Sequence, residues 1–196
     1  MPSLPSSALE QAFAAARTFS KFSDEAVSDD TLAQLYELAK WGPTSMNCQP
    51  ARFVFVRSLQ AKEKLKPCLA PGNLEKTMNA PVTVIVAQDM RFFEHLPQQF
   101  PANPNAPAPF VANAALAEST ALRNSSLQGA YLIVAARLLG LDCGPMSGFN
   151  AAALDAAFFP DGRYKANFLI NLGYGDSQAL RPRGPRLPFD TVASIQ

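Results

Sequence analysis

The run VTVIVA at residues 82–87 decides the fold. It follows Pro81 and is apolar on both faces, the pattern of a central strand covered on two sides. Working outward, FVFV at 53–56 reads as a second strand and FLINLGYGD at 168–176 as a third. Between the first two, residues 59–68 and 73–79 read as short helices split by a turn signal, Pro71-Gly72. Upstream, Ser7 and Glu10 have capping-box spacing, and Leu9, Phe13 and Ala16 share a face, which predicts a helix over 8–17. A second helix starts at Ser28 to Asp30, carries Leu32, Leu35, Tyr36 and Ala39 on one face, and stops near Trp41 because Gly42-Pro43 follows. Downstream, Pro97, Pro101, Pro104, Pro107 and Pro109 predict an extended surface insertion over about 97–112. From Ala114 to Leu139 a long helical pattern carries Leu116, Leu122, Leu127, Tyr131, Val134 and Leu138 and is expected to be buried nearly all round. A short helix capped by Asn150 and an arginine- and proline-rich tail complete the chain. Helices mixed with few strands, and no interior linker, give an α+β layer arrangement in a single domain.

Composition removes several classes of function. With 196 residues, 48% hydrophobic and 17% charged, the chain can bury a core without metal or disulfide, and disorder is excluded. Seventeen basic against 16 acidic residues leave a formal charge of +1, which makes no electrostatic case for nucleic acid. The longest apolar stretches, VTVIVA and YLIVAARLLGL, fall short of the roughly 20 residues a membrane span needs, and Arg137 interrupts the second. The start, MPSLPSSALEQ, lacks a basic region followed by an apolar core, and Cys48, Cys68 and Cys143 leave one thiol unpaired in any disulfide scheme. A reducing cytoplasm is the expected location. One histidine, His95, cannot build a multi-histidine metal site, and no G-x-S-x-G elbow accompanies it. Gly173-Tyr-Gly175 lacks the third glycine of a dinucleotide loop, and no GxxxxGK[ST] occurs. A phosphate-bearing ligand therefore has to be held by scattered arginines and backbone amides.

Four segments offer such groups. Arg17 and Thr18 end the first helix; Thr44, Ser45, Asn47 and Gln49 crowd the loop after the second. Pro145, Met146, Ser147 and Gly148 form a small-residue turn, and Arg181, Arg183 and Arg186 lie in the tail. Taken singly each reads as an ordinary helix end, polar turn, connector or surface charge run. Their order and spacing together resemble the flavin-dependent nitroreductase family. WGPTSMNCQPARFVFV (41–56) is similar to its P-S-x-x-N-x-Q-P-W-x-F signature, and ARTFSKF to its R-R-S-x-R-x-F. GLDCGPMSGF is similar to its G-L-G-x-x-P-x-x-G-F, and PRGPRLPF to its terminal K-x-R-x-P. The resemblance runs from about residue 8 to 190. Through KWGPTSMNC, APVTVIVA, RNSSLQGAYLIVAARLLGLDCGPMSGF, DAAFF and LINLGYGDS it is strongest to the branch that reduces malonic semialdehyde in pyrimidine degradation.

The resemblance implies a central, mostly antiparallel sheet flanked by helices, an intertwined homodimer, FMN bound between the subunits, and NADH or NADPH as hydride donor. It assigns Arg17 and Thr18 to phosphate and ring contacts, Arg183 and Arg186 to the phosphate, and Thr44, Ser45 and Asn47 to the flavin from the second copy, with Gln49 adjacent in the same signature. Pro145, Met146, Ser147 and Gly148 are assigned to the turn beside the reactive edge. Forked guanidinium donors suit a phosphate that carries close to two negative charges, and Asn47 and Gln49 offer the ring both donors and acceptors. Departures are visible: Ala16 stands where the first arginine of the pair is usual, Ser20 at the later basic position, and Ala51 at the tryptophan, followed by Arg52. With no acid, base or nucleophile cluster in view, the chemistry falls to the cofactor: a ping-pong hydride transfer through flavin N5 that reduces an aldehyde to 3-hydroxypropanoate. Lys76 is the candidate cation beside the reduced ring, and Arg52 and Arg123 are the candidates for the substrate carboxylate. A broad nitro- or quinone reductase, and a flavin-binding protein without robust turnover, are the alternatives.

Overall fold

The computed structural model describes residues 2–196. Four strands form one sheet: β1 (Ala51–Val56), β2 (Val82–Asp89), β3 (Asp142–Met146) and β4 (Tyr164–Gly173), in the order β1-β2-β4-β3. Every pair among the described residues is antiparallel, with Phe53 opposite Val86, Ile85 opposite Leu169 and Cys143 opposite Leu172. The VTVIVA run is the fully buried β2, as its two apolar faces require. Its side chains alternate between two cores. Val82, Val84 and Val86 join Leu35 of α2 (Asp29–Ala39) and Leu132 of α7 (Ala114–Leu138), whereas Ile85 and Ala87 join Leu65 of α3 (Leu59–Leu65) and Leu154 of α8 (Ala151–Phe158). The period of two thus places one helical layer on each face of the sheet.

The capping residues that start these helices are readable in the sequence: Ser28 accepts from the Thr31 N–H, Ser58 from Ala61, Asn113 from Leu116 and Asn150 from Ala153. Other expectations need correction. Helix α1 (Ser6–Leu9) runs into a π-helical turn at Glu10–Ala14, and its N-cap is Pro5 with no side-chain cap, so the Ser7–Glu10 spacing forms no capping box. The two short helical segments expected on either side of Pro71-Gly72 are present, one ending at Cys68 and the other being α4 (Pro71–Asn79), but the pair is not a separate turn: Pro71 is the first residue of α4, where a missing N–H costs nothing. Strand β3 was hidden by its own Gly144 and Pro145, which an edge position tolerates.

The proline-rich stretch is not extended. It folds as α5 (Leu96–Gln99), a series of turns and α6 (Ala108–Ala112), with prolines in the first turns of both helices. Leu96, Ala106 and Phe110 bury with Phe92 and Cys48 against Ala117 and Ala121 of α7, and the Phe92 and Phe110 rings meet edge-on at 5.0 Å. Helix α7 is not buried all round either. Small residues, Gly129 and Ala136 among them, face the sheet, and Gly129 lets Phe168 approach where a Cβ would lie 2.4 Å from the ring. Leu116, Leu122, Leu127, Tyr131 and Leu138 remain exposed, and Trp41 is 78% exposed beyond the end of α2. At 100° per residue Leu116, Leu127, Tyr131 and Leu138 fall on one side of the helix, an exposed apolar face of the kind that partner contacts cover. Among the described residues no helix is long and apolar enough to cross a membrane. Helix α9 (Phe189–Val192) lies in the exposed tail.

Candidate functional site

A cavity of about 910 Å³ opens where the segment after α1, the C-terminal end of α7, β3, α4 and the tail converge. Local chain geometry brings these pieces together. Thr18 pairs with Cys143 at the edge of β3, and the Phe19 N–H donates to the Cys143 carbonyl at 3.0 Å. That approach is possible because residue 144 is glycine: a Cβ there would lie 2.4 Å from the Phe19 carbonyl oxygen. The tail is tied down by arginines that reach across it. Arg183 Nη2 donates to the Ala16 carbonyl at 3.0 Å, and Arg17 Nη2 donates to the Arg181 carbonyl.

Six cationic side chains line this cavity: Arg17, Lys76, Arg137, Arg181, Arg183 and Arg186. None of the lining residues among those described is acidic, and none of the six takes part in an ion pair. Arg17, Arg137, Arg183 and Arg186 each donate to a backbone carbonyl, which orients a guanidinium group without neutralising it. An enclosed set of uncompensated cations raises the local concentration of anions and favours their binding. An adjoining cavity shares Ser20, Gly72, Lys76 and Arg181 but adds Asp24, Glu75 and Asp176, so the purely basic region ends there.

Beneath Lys76 lies a buried polar network that sequence reasoning did not find. Lys62 of α3 is 4% exposed, and its ammonium donates to the Thr77 carbonyl (2.6 Å), the Ala80 carbonyl (2.9 Å) and Thr83 Oγ1 (2.8 Å). Thr83 pairs with Asn171 Oδ1 at 2.8 Å, and Asn171 Nδ2 donates to the Lys76 carbonyl at 3.2 Å. The network therefore fixes the last turn of α4 and with it the backbone that carries Lys76. Burial pushes the Lys62 ammonium down to about 8. Asn73, one turn earlier, donates from Nδ2 to the Gly148 carbonyl at 2.8 Å and couples α4 to the turn after β3.

Of the residues singled out in the sequence, Arg17, Thr18, Lys76, Pro145, Arg183 and Arg186 are brought to this cavity. Met146 is not a wall of it. Its side chain is buried in the core with Leu154 and Leu169, and its sulfur accepts from the Thr77 hydroxyl at 3.5 Å; Pro145 is the exposed apolar surface of that turn. Ser147 is exposed and Gly148 half-buried beside Asn73. Thr44, Ser45, Asn47 and Gln49 lie elsewhere in the chain and line no part of the cavity. Their loop is tightly specified. The Ser45 N–H donates to Asn124 Oδ1 at 2.8 Å, Asn47 Nδ2 to the Gln99 carbonyl at 3.0 Å, and Gln49 Nε2 to Gln99 Oε1 at 2.9 Å. Met46, Asn47 and Gln49 all have positive φ, at 52°, 52° and 39°. Three left-handed non-glycine residues within four positions are strain that a merely connecting loop has no reason to keep. Ser45 and Asn47 are nevertheless exposed.

Neither candidate carboxylate clamp lines the basic cavity of its own chain. Arg52 is already engaged: its Nη2 lies 2.7 Å from Asp89 Oδ2, and Asp89 is fully buried between Arg52 and Arg163. It is part of a structural ion-pair cluster and lines a different pocket, with Phe158, Phe159 and Tyr164. Arg123 is not cavity-facing in the chain; it shares the exposed side of α7, while Asn124 and Ser125 are the buried residues of that stretch. Burial raises the Cys48 thiol to about 11 and Cys143 to about 12, and all three cysteines are free and buried. No group of three His, Cys, Asp or Glu residues able to hold a metal is present among the described residues.

Comparison with known proteins places this geometry in context. Residues 14–174 match the model of the Nitroreductase family. A protein of Burkholderia lata, provisionally named NADH dehydrogenase/NAD(P)H nitroreductase, is 58% identical over 196 residues, the whole of both chains. Among solved structures, a provisionally named nitroreductase of Bacillus subtilis superposes with a TM-score of 0.88 at 21% identity, covering 98% of this chain and 100% of its own. A provisionally named nitroreductase of Exiguobacterium sibiricum, solved in complex with FMN, superposes with a TM-score of 0.83 at 21% identity over 100% and 99% of the two chains.

Proposed function

Because this chain belongs to the nitroreductase family, we propose that it is an FMN-dependent NAD(P)H oxidoreductase, assembled from two copies, that reduces malonic semialdehyde to 3-hydroxypropanoate. The observation that carries the cofactor reading is the cavity with six cations and no acid. FMN fits it on chemical grounds. Its phosphate carries close to two negative charges, and planar guanidinium forks satisfy phosphate oxygens in pairs. Arg17, Arg183 and Arg186 would hold the phosphate, Pro145 would give the ring an apolar surface, and Lys76 would supply the positive charge that favours ring reduction. The chemistry the group supplies when bound is hydride exchange at N5, from NADH or NADPH in one half-cycle and to the aldehyde carbon in the other.

The chain's own residues then bind, orient and exclude. No carboxyl lines the cavity, and the proton that completes the alcohol would come from solvent or from a nearby donor. The strained Thr44–Gln49 loop, which does not line the basic cavity of its own chain, would close that of a second copy. The exposed stripe of Leu116, Leu127, Tyr131 and Leu138 with Trp41 would form the seam that brings two copies together. Surplus positive charge beyond what a phosphate needs suits a small anionic aldehyde, and the sequence strings noted above support the same substrate. The buried, free cysteines fit a reducing cytoplasm.

The second reading, a broad nitro- or quinone reductase, is favoured by the shared name of relatives that are 52–58% identical over nearly the whole chain. Steady-state kcat/KM with malonic semialdehyde and with a nitroaromatic, using NADH and NADPH in turn, separates the two. The proposal expects the semialdehyde to be preferred by at least tenfold; preference for the nitroaromatic establishes the second reading.

A further inference from the structure

One arginine in the basic cavity belongs to none of the four segments that the sequence singled out. Arg137 sits in the last turn of α7, the longest helix of the fold, whereas Arg181, Arg183 and Arg186 lie on an exposed tail. Its Nη1 donates to the Ala12 carbonyl at 3.1 Å. Its Nε is buried with no hydrogen-bond partner among the described residues. Nη2, on the same edge as Nε, also has no protein acceptor among them and is not fully buried, so it is the donor that a phosphate oxygen in the cavity can reach. A buried donor left unmatched in this way is uncommon in native proteins and marks a missing ion, water or ligand. Arg137 also lies close enough to Cys143, which adjoins Gly144 of the cavity wall, to draw the thiol downward against the larger effect of burial.

We propose that Arg137 is a cofactor-binding residue: its guanidinium takes the phosphate of the flavin nucleotide and anchors it to α7. The inference rests on the flavin reading above. Because α7 is held by the sheet, Arg137 loses less conformational freedom on binding than a tail arginine. The tail arginines then fold over a phosphate already fixed from below.

Equilibrium titration of the full-length protein with FMN and, separately, with riboflavin, which lacks the phosphate, tests the assignment, with flavin fluorescence as the readout. Thermal unfolding of the flavin-free proteins accompanies it. Arg137→Gln is expected to weaken FMN binding by about 10- to 100-fold, the range for losing one charge-assisted pair, and to leave riboflavin binding within about twofold. Arg137→Lys should recover part of the FMN affinity, because it restores the charge without the fork. If Arg137→Gln lowers FMN and riboflavin affinity equally, Arg137 serves only to hold the Gln11–Ala12 segment and the proposal fails. Unchanged FMN affinity overturns it as well, as does a wild-type protein that binds riboflavin as tightly as FMN. Failure of the wild type to bind either flavin defeats the underlying reading itself, and so stays distinguishable from failure of the Arg137 assignment.

Discussion

Replacing Lys62 by methionine tests whether a charged ammonium is held in the core beneath Lys76. The wild-type group titrates near 8 in the folded chain against 10.5 in an open one. Between those values the unfolded chain binds the proton and the folded chain does not, so unfolding stability rises with pH across that window. The gap between 10.5 and about 8, at about 1.4 kcal/mol per pH unit, sets a ceiling of about 3 kcal/mol. The bonds to the Thr77 and Ala80 carbonyls and to Thr83 Oγ1 favour the charged form and bring the expected gain down to about 2–3 kcal/mol. Urea unfolding of wild type and Lys62→Met at pH 7.5 and pH 10.5 reads this directly, because every other titrating group is common to both proteins. The stability difference should shift in favour of the wild type by that amount at the higher pH. A difference that does not move with pH would show that Lys62 is not a buried cation, and the network under α4 would lose its anchor.

Other perturbations follow from the same packing. Gly144→Ala places a Cβ 2.4 Å from the Phe19 carbonyl oxygen and should cost about 1–3 kcal/mol in a urea melt, with the displaced 17–22 segment releasing bound flavin during gel filtration. Asp89→Asn removes the buried partner of Arg52 and Arg163 and should destabilise by about 3–5 kcal/mol, whereas Arg52→Ala, on the half-exposed partner, should cost about 1 kcal/mol and leave the semialdehyde KM unchanged. A raised KM in Arg52→Ala would return that residue to the substrate site. Charging the α7 stripe with Leu127→Glu and Tyr131→Glu should convert a dimer to a monomer in sedimentation and abolish flavin retention together, since both depend on the second copy; a monomeric wild type would contradict the seam.

Much of this was legible because it is local. Strand β2 declares itself by its apolar faces, the helix caps by Ser and Asn at the right spacing, and the tail by three arginines in six residues. What escaped is non-local. Lys62 reads as a surface lysine on an amphipathic helix, and only its acceptors, 15 to 21 residues away, make its burial possible. Strand β3 is hidden by glycine and proline, and only its place at the sheet edge makes Pro145 harmless. The 97–112 stretch looked unpackable because prolines were weighed and the spacing of Leu96, Ala106 and Phe110 was not. Arg137 was visible as the break in an apolar helix, the one local sign of a charge that the fold turns toward a cavity. Arg52 misled because a cation beside a signature loop reads as a ligand, until Asp89, 37 residues on, is found against it.

The most direct measurement is a crystal structure grown in excess FMN. It should show one flavin per chain, its phosphate among Arg17, Arg137 and Arg183 and its ring against Pro145, with the Thr44–Gln49 loop of a second copy closing the other side. A flavin bound away from the six cations, or a basic cavity that excludes it, would contradict the account.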